Sequence, residues 1–267
     1  MTRNFGEAVS SSGRLPFFPS RGLAALLFGL FLSACSQSGE SPDVRALEVV
    51  TDDGFIITAT LFDPGVDAPP GILLVHRYGG GRGLWEQSAR AFQQRGMMAL
   101  ALDLRGHGDS RARHEEMTHY RQLPEDAWLD ALADVRVAKG LLLEQGAHPD
   151  HLAIAGEAMG AGLALHYALE DPDIQAVIMI SPGLEMRGVP TESAIRELTD
   201  CPTLIMACEG DAYAAMSATA LNAAAPVYSE LRTWSGGAHG VDLFGAHPDA
   251  LQFLLQWLQP IIGPHTS

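Results

Sequence analysis

The segment Leu152–Gly162 carries the pattern with the most chemical content in this chain. It reads LAIAGEAMGAG: a short apolar run, a turn centred on Ala158 between Gly156 and Gly160, and a helix-like stretch. Glycines at these two positions are typical of a sharp strand-to-helix turn that exposes its central side chain above a sheet, where a nucleophile can act. The methyl group of Ala158 cannot attack a carbonyl carbon. We expect Ala158 to hold a positive φ, which costs a non-glycine residue about 1–3 kcal/mol, and the two glycines to let the strand and helix backbones cross closely.

Other patterns that suggest chemistry fit less well. His114 and His119 resemble a zinc-binding H-E-x-x-H pattern, but one extra residue separates them, so the two rings would not share a helix face. The glycines of Gly79–Gly81 lack the spacing of a dinucleotide or phosphate loop. No cofactor and no metal are therefore expected. Cys201 and Cys208 would lie about 23 Å apart on one strand, beyond disulfide reach, and we expect buried thiols.

The elements that would position a site at Ala158 alternate along the chain. Apolar or β-rich runs predict eight strands: Ala46–Thr51, Phe55–Phe62, Ile72–Val75, Met97–Leu104, Leu152–Ala155, Ala176–Ile180, Thr203–Ala207 and Val227–Thr233. Helical patterns cover Leu84–Gln94, Asp126–Glu144, Met159–Leu169 and Leu251–Leu258. Because such alternation requires a sheet with helices on both faces, we predict an α/β fold with a doubly wound, mostly parallel sheet.

Two details of this fold follow from the pattern. On the long second helix, Leu129 and Leu132 are expected to face inward and Asp134 to face solvent. Only the stretches Ser110–Glu125 and Leu184–Asp200 are free to form a cap, so no large cap domain is expected.

Composition and the N-terminus limit the classes of function. The chain has 267 residues and a formal net charge of −15, which repels phosphate backbones and argues against nucleic-acid partners. An apolar run follows Arg21 but is too short to span a bilayer core of about 30 Å, and it is typical of a signal peptide. We therefore predict a signal peptide over residues 1–34, a tether over 35–45, one folded domain over 46–260 and a tail over 261–267.

The end of the apolar run, Leu32-Ser33-Ala34-Cys35, resembles the bacterial lipobox. The resemblance implies cleavage before Cys35 and lipidation of this cysteine, which would anchor the chain in a membrane. It places the protein in the cell envelope, facing the periplasm or the exterior, and Ser36 after the cysteine implies the outer membrane in a Gram-negative organism. An ordinary signal peptide with an incidental cysteine is the alternative.

Five segments match a known family in order: LVHRYGG at Leu74–Gly80, DLRGHGDS at Asp103–Ser110, the turn at Ala158, PTLIMACEGD at Pro202–Asp211 and GGAHG at Gly236–Gly240. Together they resemble α/β-hydrolases of the dienelactone-hydrolase or serine-aminopeptidase-like type. The resemblance covers roughly Leu47 to Leu258. It implies that Ala158 occupies the nucleophile's position, Asp211 that of the catalytic acid and His239 that of the base, in the chain order of this fold. It also implies an oxyanion hole formed by the backbone N–H groups of Tyr78 and Met159.

Besides Ala158, this chain departs from the family pattern at two positions. Arg77 replaces the glycine that usually follows His76, and we expect its bulk or charge to crowd the pocket. Cys208 lies where glycine is common. In the family, the segment Asp103–Ser110 is architectural, so we interpret His107 as a hydrogen-bonded structural histidine.

Three functions are compatible with these residues. The one we favour is a degenerate serine hydrolase, without its nucleophile, that keeps a cleft for a small acyl or ester-like ligand. The second is an active hydrolase or lyase-type enzyme that uses His239 and Asp211 as a dyad, or that has moved its nucleophile to Ser181 or Glu157. The third is a scaffold or interaction lipoprotein. The sequence predicts no particular oligomeric state.

The shape of the cleft would discriminate among these functions. An open cleft lined by Tyr78, Met159 and Tyr213 favours the first two. A cleft filled by Arg77 or Trp85 favours a scaffold.

Overall fold

The computed structural model describes residues 43–226 and 228–263. All of them fall within one compact unit, Gly39–Ser267. The predicted signal peptide, Cys35 and the first part of the tether lie outside the described residues, so these expectations stay predictions. None of the helices in the described ranges is long and apolar enough to cross a bilayer.

Twelve strands form one large sheet and two small hairpins. The strands are β1 (Asp43–Val50), β2 (Ile56–Asp63), β3 (Gly71–Val75), β4 (Met98–Leu102), β5 (Ala112–Arg113), β6 (Glu116–Met117), β7 (Leu152–Glu157), β8 (Ile174–Ile180), β9 (Glu185–Met186), β10 (Val189–Pro190), β11 (Thr203–Cys208) and β12 (Ser229–Trp234). The sheet has the order β1-β2-β4-β3-β7-β8-β11-β12. Strand β2 is antiparallel to both of its neighbours, and the other pairs are parallel.

Helices cover both faces of this sheet. They are α1 (Glu86–Gln94), α2 (Leu132–Glu144), α3 (Met159–Glu170), α4 (Glu192–Glu197), α5 (Ala212–Ala224), α6 (Asp242–Ala246) and α7 (Pro248–Ile262), with 3-10 helices at Arg82–Trp85, Tyr120–Gln122 and Glu125–Ala131. Side chains alternate along β3, so that Leu73 and Val75 join the core under α2 and α3, whereas Ile72 and Leu74 join the core under α1 and α7. The predicted doubly wound, mostly parallel α/β fold is confirmed.

The predicted orientation of Asp134 is wrong. Its carboxylate is fully buried, and it accepts hydrogen bonds from the guanidinium of Arg105, with 2.7 Å between Nη2 and Oδ1. Arg105 lies in the loop after β4, so the partner that keeps Asp134 inside is distant in sequence. A helix pattern alone assigns a carboxylate to solvent because it does not contain that partner.

Several boundaries also differ from the predicted ones. Strand β1 begins at Asp43, inside the predicted tether, because its antiparallel register with β2 pairs Asp43 with Asp63. Helix α7 continues to the buried Ile262, inside the predicted tail. The two stretches left for a cap form only the two small hairpins and the short helices between residues 110 and 200. No large cap covers the described part of the fold.

The two cysteines of the folded unit are free and buried, as predicted. Cys208 ends β11, and Cys201 precedes that strand by two residues. Burial raises the pKa of the Cys201 thiol to about 12. Because the thiolate is the reactive form, this thiol is protected from oxidation.

Candidate functional site

The turn between β7 and α3 holds Ala158 in a strained conformation. Its φ is +50° and its ψ is −114°, which confirms the prediction from the glycine spacing. Side chains at the flanking positions are sterically excluded: a Cβ on Gly156 would collide with the carbonyl of Gly160, and one on Gly160 would collide with the carbonyls of Val75 and His76. The strand and helix backbones therefore cross closely, and the Ala158 methyl projects from the top of the turn.

Asp211 and His239 form a hydrogen-bonded pair beside this turn. Asp211 is the residue that precedes α5, and His239 lies in the loop between β12 and α6. The His239 Nδ1 atom is 2.6 Å from the Asp211 Oδ2 atom. Because a carboxylate only accepts hydrogen bonds, Nδ1 carries a proton, and in the neutral ring Nε2 has the lone pair. The ring is thus oriented as in a general base, but no hydroxyl at position 158 can give it a proton.

Among the backbone N–H groups next to the turn, those of Tyr78 and Met159 have no hydrogen-bond partner within residues 43–226 and 228–263. Met159 is the first residue of α3, where backbone donors have no partner inside the helix. Tyr78 lies in the loop after β3, between Arg77, whose N–H contacts the Glu157 carboxylate, and Gly79, whose N–H donates to the ring of His107. Free donors of this kind are what an oxyanion requires.

A pocket of about 200 Å³ joins these groups. It is lined by Arg77, Tyr78, Ala158, Met159, Met186, Arg187 and His239. The expected lining by Tyr78 and Met159 is therefore correct. Tyr213 does not line this pocket, because its hydroxyl donates to the carbonyl of Glu185 instead.

A family model described as serine aminopeptidase S33 matches residues 68–204, just over half of the chain. The chain belongs to this family of α/β-hydrolases. The match includes the loop after β3 and the turn at Ala158, and ends before Asp211 and His239.

Two curated relatives of this family member are named as hydrolytic enzymes. An acetyl-hydrolase of Streptomyces hygroscopicus is 40% identical over 73 residues, which cover 26% of this chain and 24% of the relative. A thermostable monoacylglycerol lipase of a Bacillus species is 26% identical over 123 residues, or 46% of this chain and 44% of the lipase. The chain thus spans less than half the length of either relative that it matches.

Solved structures show the same fold over nearly the whole described unit. A dienelactone hydrolase from Anabaena variabilis superimposes with a TM-score of 0.65 at 21% identity, over 84% of this chain and 100% of that one. An α/β-hydrolase from a Penicillium species gives a TM-score of 0.69 at 16% identity, over 82% and 99% of the two chains. At these identities the likeness establishes the α/β-hydrolase fold.

Arg77, the residue where this family member departs from His-Gly, lines the pocket but does not fill it, since about 200 Å³ stays open. Its Nη1 atom is 2.8 Å from Oε2 of Glu157, and its Nη2 atom is 3.8 Å from Asp242. These carboxylates hold the guanidinium against one wall. Trp85 does not fill the pocket either, because it is fully buried in the core under α1.

Glu157, the residue before Ala158 and one of the two alternative nucleophile candidates, is a buried carboxylate. It is fully buried and accepts hydrogen bonds from Arg77 and from the backbone N–H of Val241 at 3.0 Å. It therefore connects the loop after β3 to the loop that carries His239. Glu157 and Arg77 are 80 residues apart, so no local sequence signal indicates this role.

Ser181, the other nucleophile candidate, is also outside the pocket. It is 1% exposed, and its hydroxyl accepts a hydrogen bond of 2.9 Å from the N–H of Gly240. Ser181 thus holds the backbone of Gly240, the residue after His239. Neither Ser181 nor Glu157 is among the residues that line the pocket.

Met186 and Arg187 also line the pocket. Neither residue was predicted from the sequence as part of the site. They lie in the β9–β10 hairpin, where Arg187 has a φ of +57° and Gly188 one of +72°. The Arg187 guanidinium carbon lies 4.2 Å from the centre of the Tyr78 ring. An arginine followed by glycine in the stretch Leu184–Asp200 was the available signal, since the sequence left that stretch free to cover the site.

Two histidines hold the loop that presents the Tyr78 N–H. The ring of His76 accepts a hydrogen bond from the N–H of Leu104, and the ring of His107 accepts one from the N–H of Gly79, both at 3.0 Å. Burial and the neighbouring His76 lower the pKa of His107 to about 4. The structural role predicted for His107 is confirmed.

Proposed function

We propose that this chain is a degenerate serine hydrolase that binds a small acyl or ester-like ligand in the pocket over Ala158 and does not cleave it. One observation carries the proposal: a methyl group occupies the nucleophile's position, at a φ of +50°, beside a hydrogen-bonded Asp211–His239 pair. The strained turn costs about 1–3 kcal/mol and persists only where its surroundings impose it.

The missing nucleophile argues against efficient cleavage. Removal of a triad nucleophile reduces turnover by about 10⁶-fold and leaves about 10³–10⁴-fold over water. Residual catalysis of this size is negligible for amides and weak for esters. Binding does not need a hydroxyl at position 158, because the pocket walls, the two N–H donors and the arginines are independent of it.

Ester hydrolysis by the parent chain and by Ala158→Ser, measured side by side with a p-nitrophenyl ester, tests the proposal. We expect a gain of at least about 10³-fold in the serine variant, which is part of the factor that a nucleophile contributes. The double variant Ala158→Ser/His239→Gln serves as the control and should lose the gain. A serine variant as inactive as its parent would mean that the site has diverged beyond one side chain, and the scaffold function would replace this proposal.

The second candidate function is catalysis by the dyad alone. The exposure of the His239 ring, 40% of its side chain, favours it, because water can reach Nε2 and be activated there. Hydrolysis by the parent chain that disappears in His239→Gln would establish this function in place of ligand binding.

We also propose that the chain is anchored in the cell envelope through a lipidated Cys35 and faces the periplasm or the exterior. The Leu-Ser-Ala-Cys ending of the apolar run supports this proposal. The anchor would keep the pocket at a membrane surface, where acyl compounds are concentrated.

A further inference from the structure

The side chains that line the pocket over Ala158 include cations and no anion, although the chain as a whole is acidic. The chain has 17 lysines and arginines against 32 aspartates and glutamates, yet the seven lining residues include two arginines and no carboxylate. The N–H groups of Tyr78 and Met159 add two donors that have no partner among the described residues. The guanidinium groups and these two N–H groups can only donate hydrogen bonds, whereas the His239 ring and the Tyr78 hydroxyl can also accept them. Such a set fits an anion.

We infer that the ligand is a small monocarboxylate, whose carboxylate is held by Arg187 and by the N–H groups of Tyr78 and Met159. This inference rests on the proposed function, in which the pocket binds a ligand without cleaving it. A carboxylate contains the acyl carbon of the corresponding ester but has no ester bond that could be cleaved. A site with oxyanion donors and a methyl in place of the nucleophile therefore suits an acid better than an ester.

Arg187 is the residue that binds the negative charge of the ligand in this inference. Its guanidinium is held over the Tyr78 ring at 4.2 Å, a cation–π contact that positions it before a ligand arrives. The nearest carboxylate is that of Glu125, at 3.5 Å, and the side chains of this pair are 46% and 69% exposed. Exposed pairs of this kind are weak. A ligand carboxylate can therefore replace Glu125, and the guanidinium can bind it in a bidentate manner.

Arg77 contributes less because its charge is already matched. It contacts the buried Glu157 at 2.8 Å and Asp242 at 3.8 Å. Glu157 has no other cation within salt-bridge distance in the described residues, so Arg77 cannot leave it without stranding a buried charge. Arg77 is thus a fixed wall of the pocket, whereas Arg187 is available to the ligand.

The size and the remaining walls limit the rest of the ligand. A volume of about 200 Å³ lies below the range of drug-sized ligand sites. Met159, Met186 and the Ala158 methyl supply the apolar contacts. A short aliphatic chain on the carboxylate fits these walls.

Calorimetric titration of the full chain at pH 7 with hexanoate, and with hexanamide as its neutral match, tests the inference. We expect hexanoate to bind at least about tenfold more tightly, the ratio that one charge-assisted hydrogen bond supplies, and its affinity to fall with added salt. Arg187→Gln should reduce hexanoate binding to the level of hexanamide. Arg196→Gln is the matched control, since Arg196 pairs with Glu192 on α4, outside the pocket, and should leave both affinities unchanged.

The outcomes separate this inference from the proposed function. Equal affinities for hexanoate and hexanamide in the parent chain overturn the carboxylate ligand, and this comparison needs no variant that folds. No binding of hexanoate, together with ester hydrolysis by Ala158→Ser, overturns it as well and leaves the degenerate hydrolase site intact. No hexanoate binding and no activity in the serine variant overturn both.

Discussion

The backbone at Ala158 has the strained conformation of a strand-to-helix turn that exposes its central side chain. Ala158 has a φ of +50°, although alanine gains nothing chemically from this position. The strain is imposed by the close crossing at Gly156 and Gly160. The geometry of the turn is therefore a property of the surrounding glycines and does not depend on a hydroxyl at position 158.

A comparison of two alanine-to-glycine variants, one at Ala158 and one in α3, should reveal this strain. Ala161→Gly loses a fully buried methyl, worth about 0.8 kcal/mol, and about 1 kcal/mol of helix propensity. Ala158→Gly loses a similar methyl but recovers about 1–3 kcal/mol of strain. We expect urea denaturation to show Ala158→Gly near parental stability and at least about 1 kcal/mol above Ala161→Gly. Equal losses in the two variants would contradict a strained turn.

At the scale of elements, two loops that follow neighbouring strands are joined through histidine rings. His76 follows β3 and binds the backbone of the loop after β4, whereas His107 lies in that second loop and binds the backbone of the first. Both rings accept N–H bonds through Nε2, and each Nδ1 faces a backbone carbonyl. Both rings must therefore be neutral, and a proton on either Nε2 would break one link between the loops.

Acid should weaken this link. The pKa of His107 falls from 6.5 to about 4 on folding because of burial and of the neighbouring His76. As the pH decreases from 6.5 to 4, the unfolded chain binds the proton before the folded one, so the free energy of unfolding decreases, by up to about 3 kcal/mol from this group. Urea denaturation at pH 7 and pH 4.5 measures the loss, which should be smaller in His107→Gln.

The exposed His114 provides the control. His114→Gln should retain the pH dependence of the parent chain. A His107→Gln variant that is as acid-sensitive as the parent would mean that other groups govern the loss of stability.

The sequence predicted most of the sheet because buried parallel strands are continuous apolar runs with clear ends. It did not predict α5, whose stretch AYAAMSATALNAA lacks an alternation of polar and apolar faces. It also did not predict the β9–β10 hairpin, which consists of four strand residues and a turn in which Arg187 and Gly188 have positive φ. Elements this short have no periodicity to detect, and their register comes from the surface on which they pack.

The same limit applies to the site. Ala158, Asp211 and His239 follow motifs that each occupy a few adjacent positions, so the sequence revealed them. The contacts of Arg77 with Glu157, of Arg187 with Tyr78 and of Ser181 with Gly240 join segments 59 to 109 residues apart. No local pattern encodes such pairs, and only the assembled sheet brings them together.

At the scale of the whole molecule, charge on the edge strands and on the whole chain opposes association between copies of the folded unit. The edge strands β1 and β12 carry charged side chains, including Arg45, Glu48, Glu230 and Arg232, which oppose edge-to-edge pairing. The net charge of −15 adds repulsion between copies. Attachment to a membrane would thus come from the predicted lipid on Cys35 and not from the folded surface.

Replacement of Cys35 tests the anchor. In cells that process lipoproteins, we expect the parent chain to sediment with membranes and to incorporate labelled palmitate. Cys35→Ser should do neither, because the lipid attaches to the sulfur. Cys201→Ser is the control, since this thiol is buried in the fold, and it should behave as the parent does. Palmitate labelling that persists in Cys35→Ser would show that the lipid is attached elsewhere.

The methyl of Ala158 also decides which reagents can detect this protein. Fluorophosphonates and other electrophiles that report on serine hydrolases require an oxygen nucleophile to form an adduct. Under the proposed function, surveys of a proteome based on such covalent capture would omit this chain, although it has the fold of the enzymes that are captured. A reversible ligand would then be needed for its affinity capture, and inhibitors that acylate a nucleophile at this position would leave it unmodified.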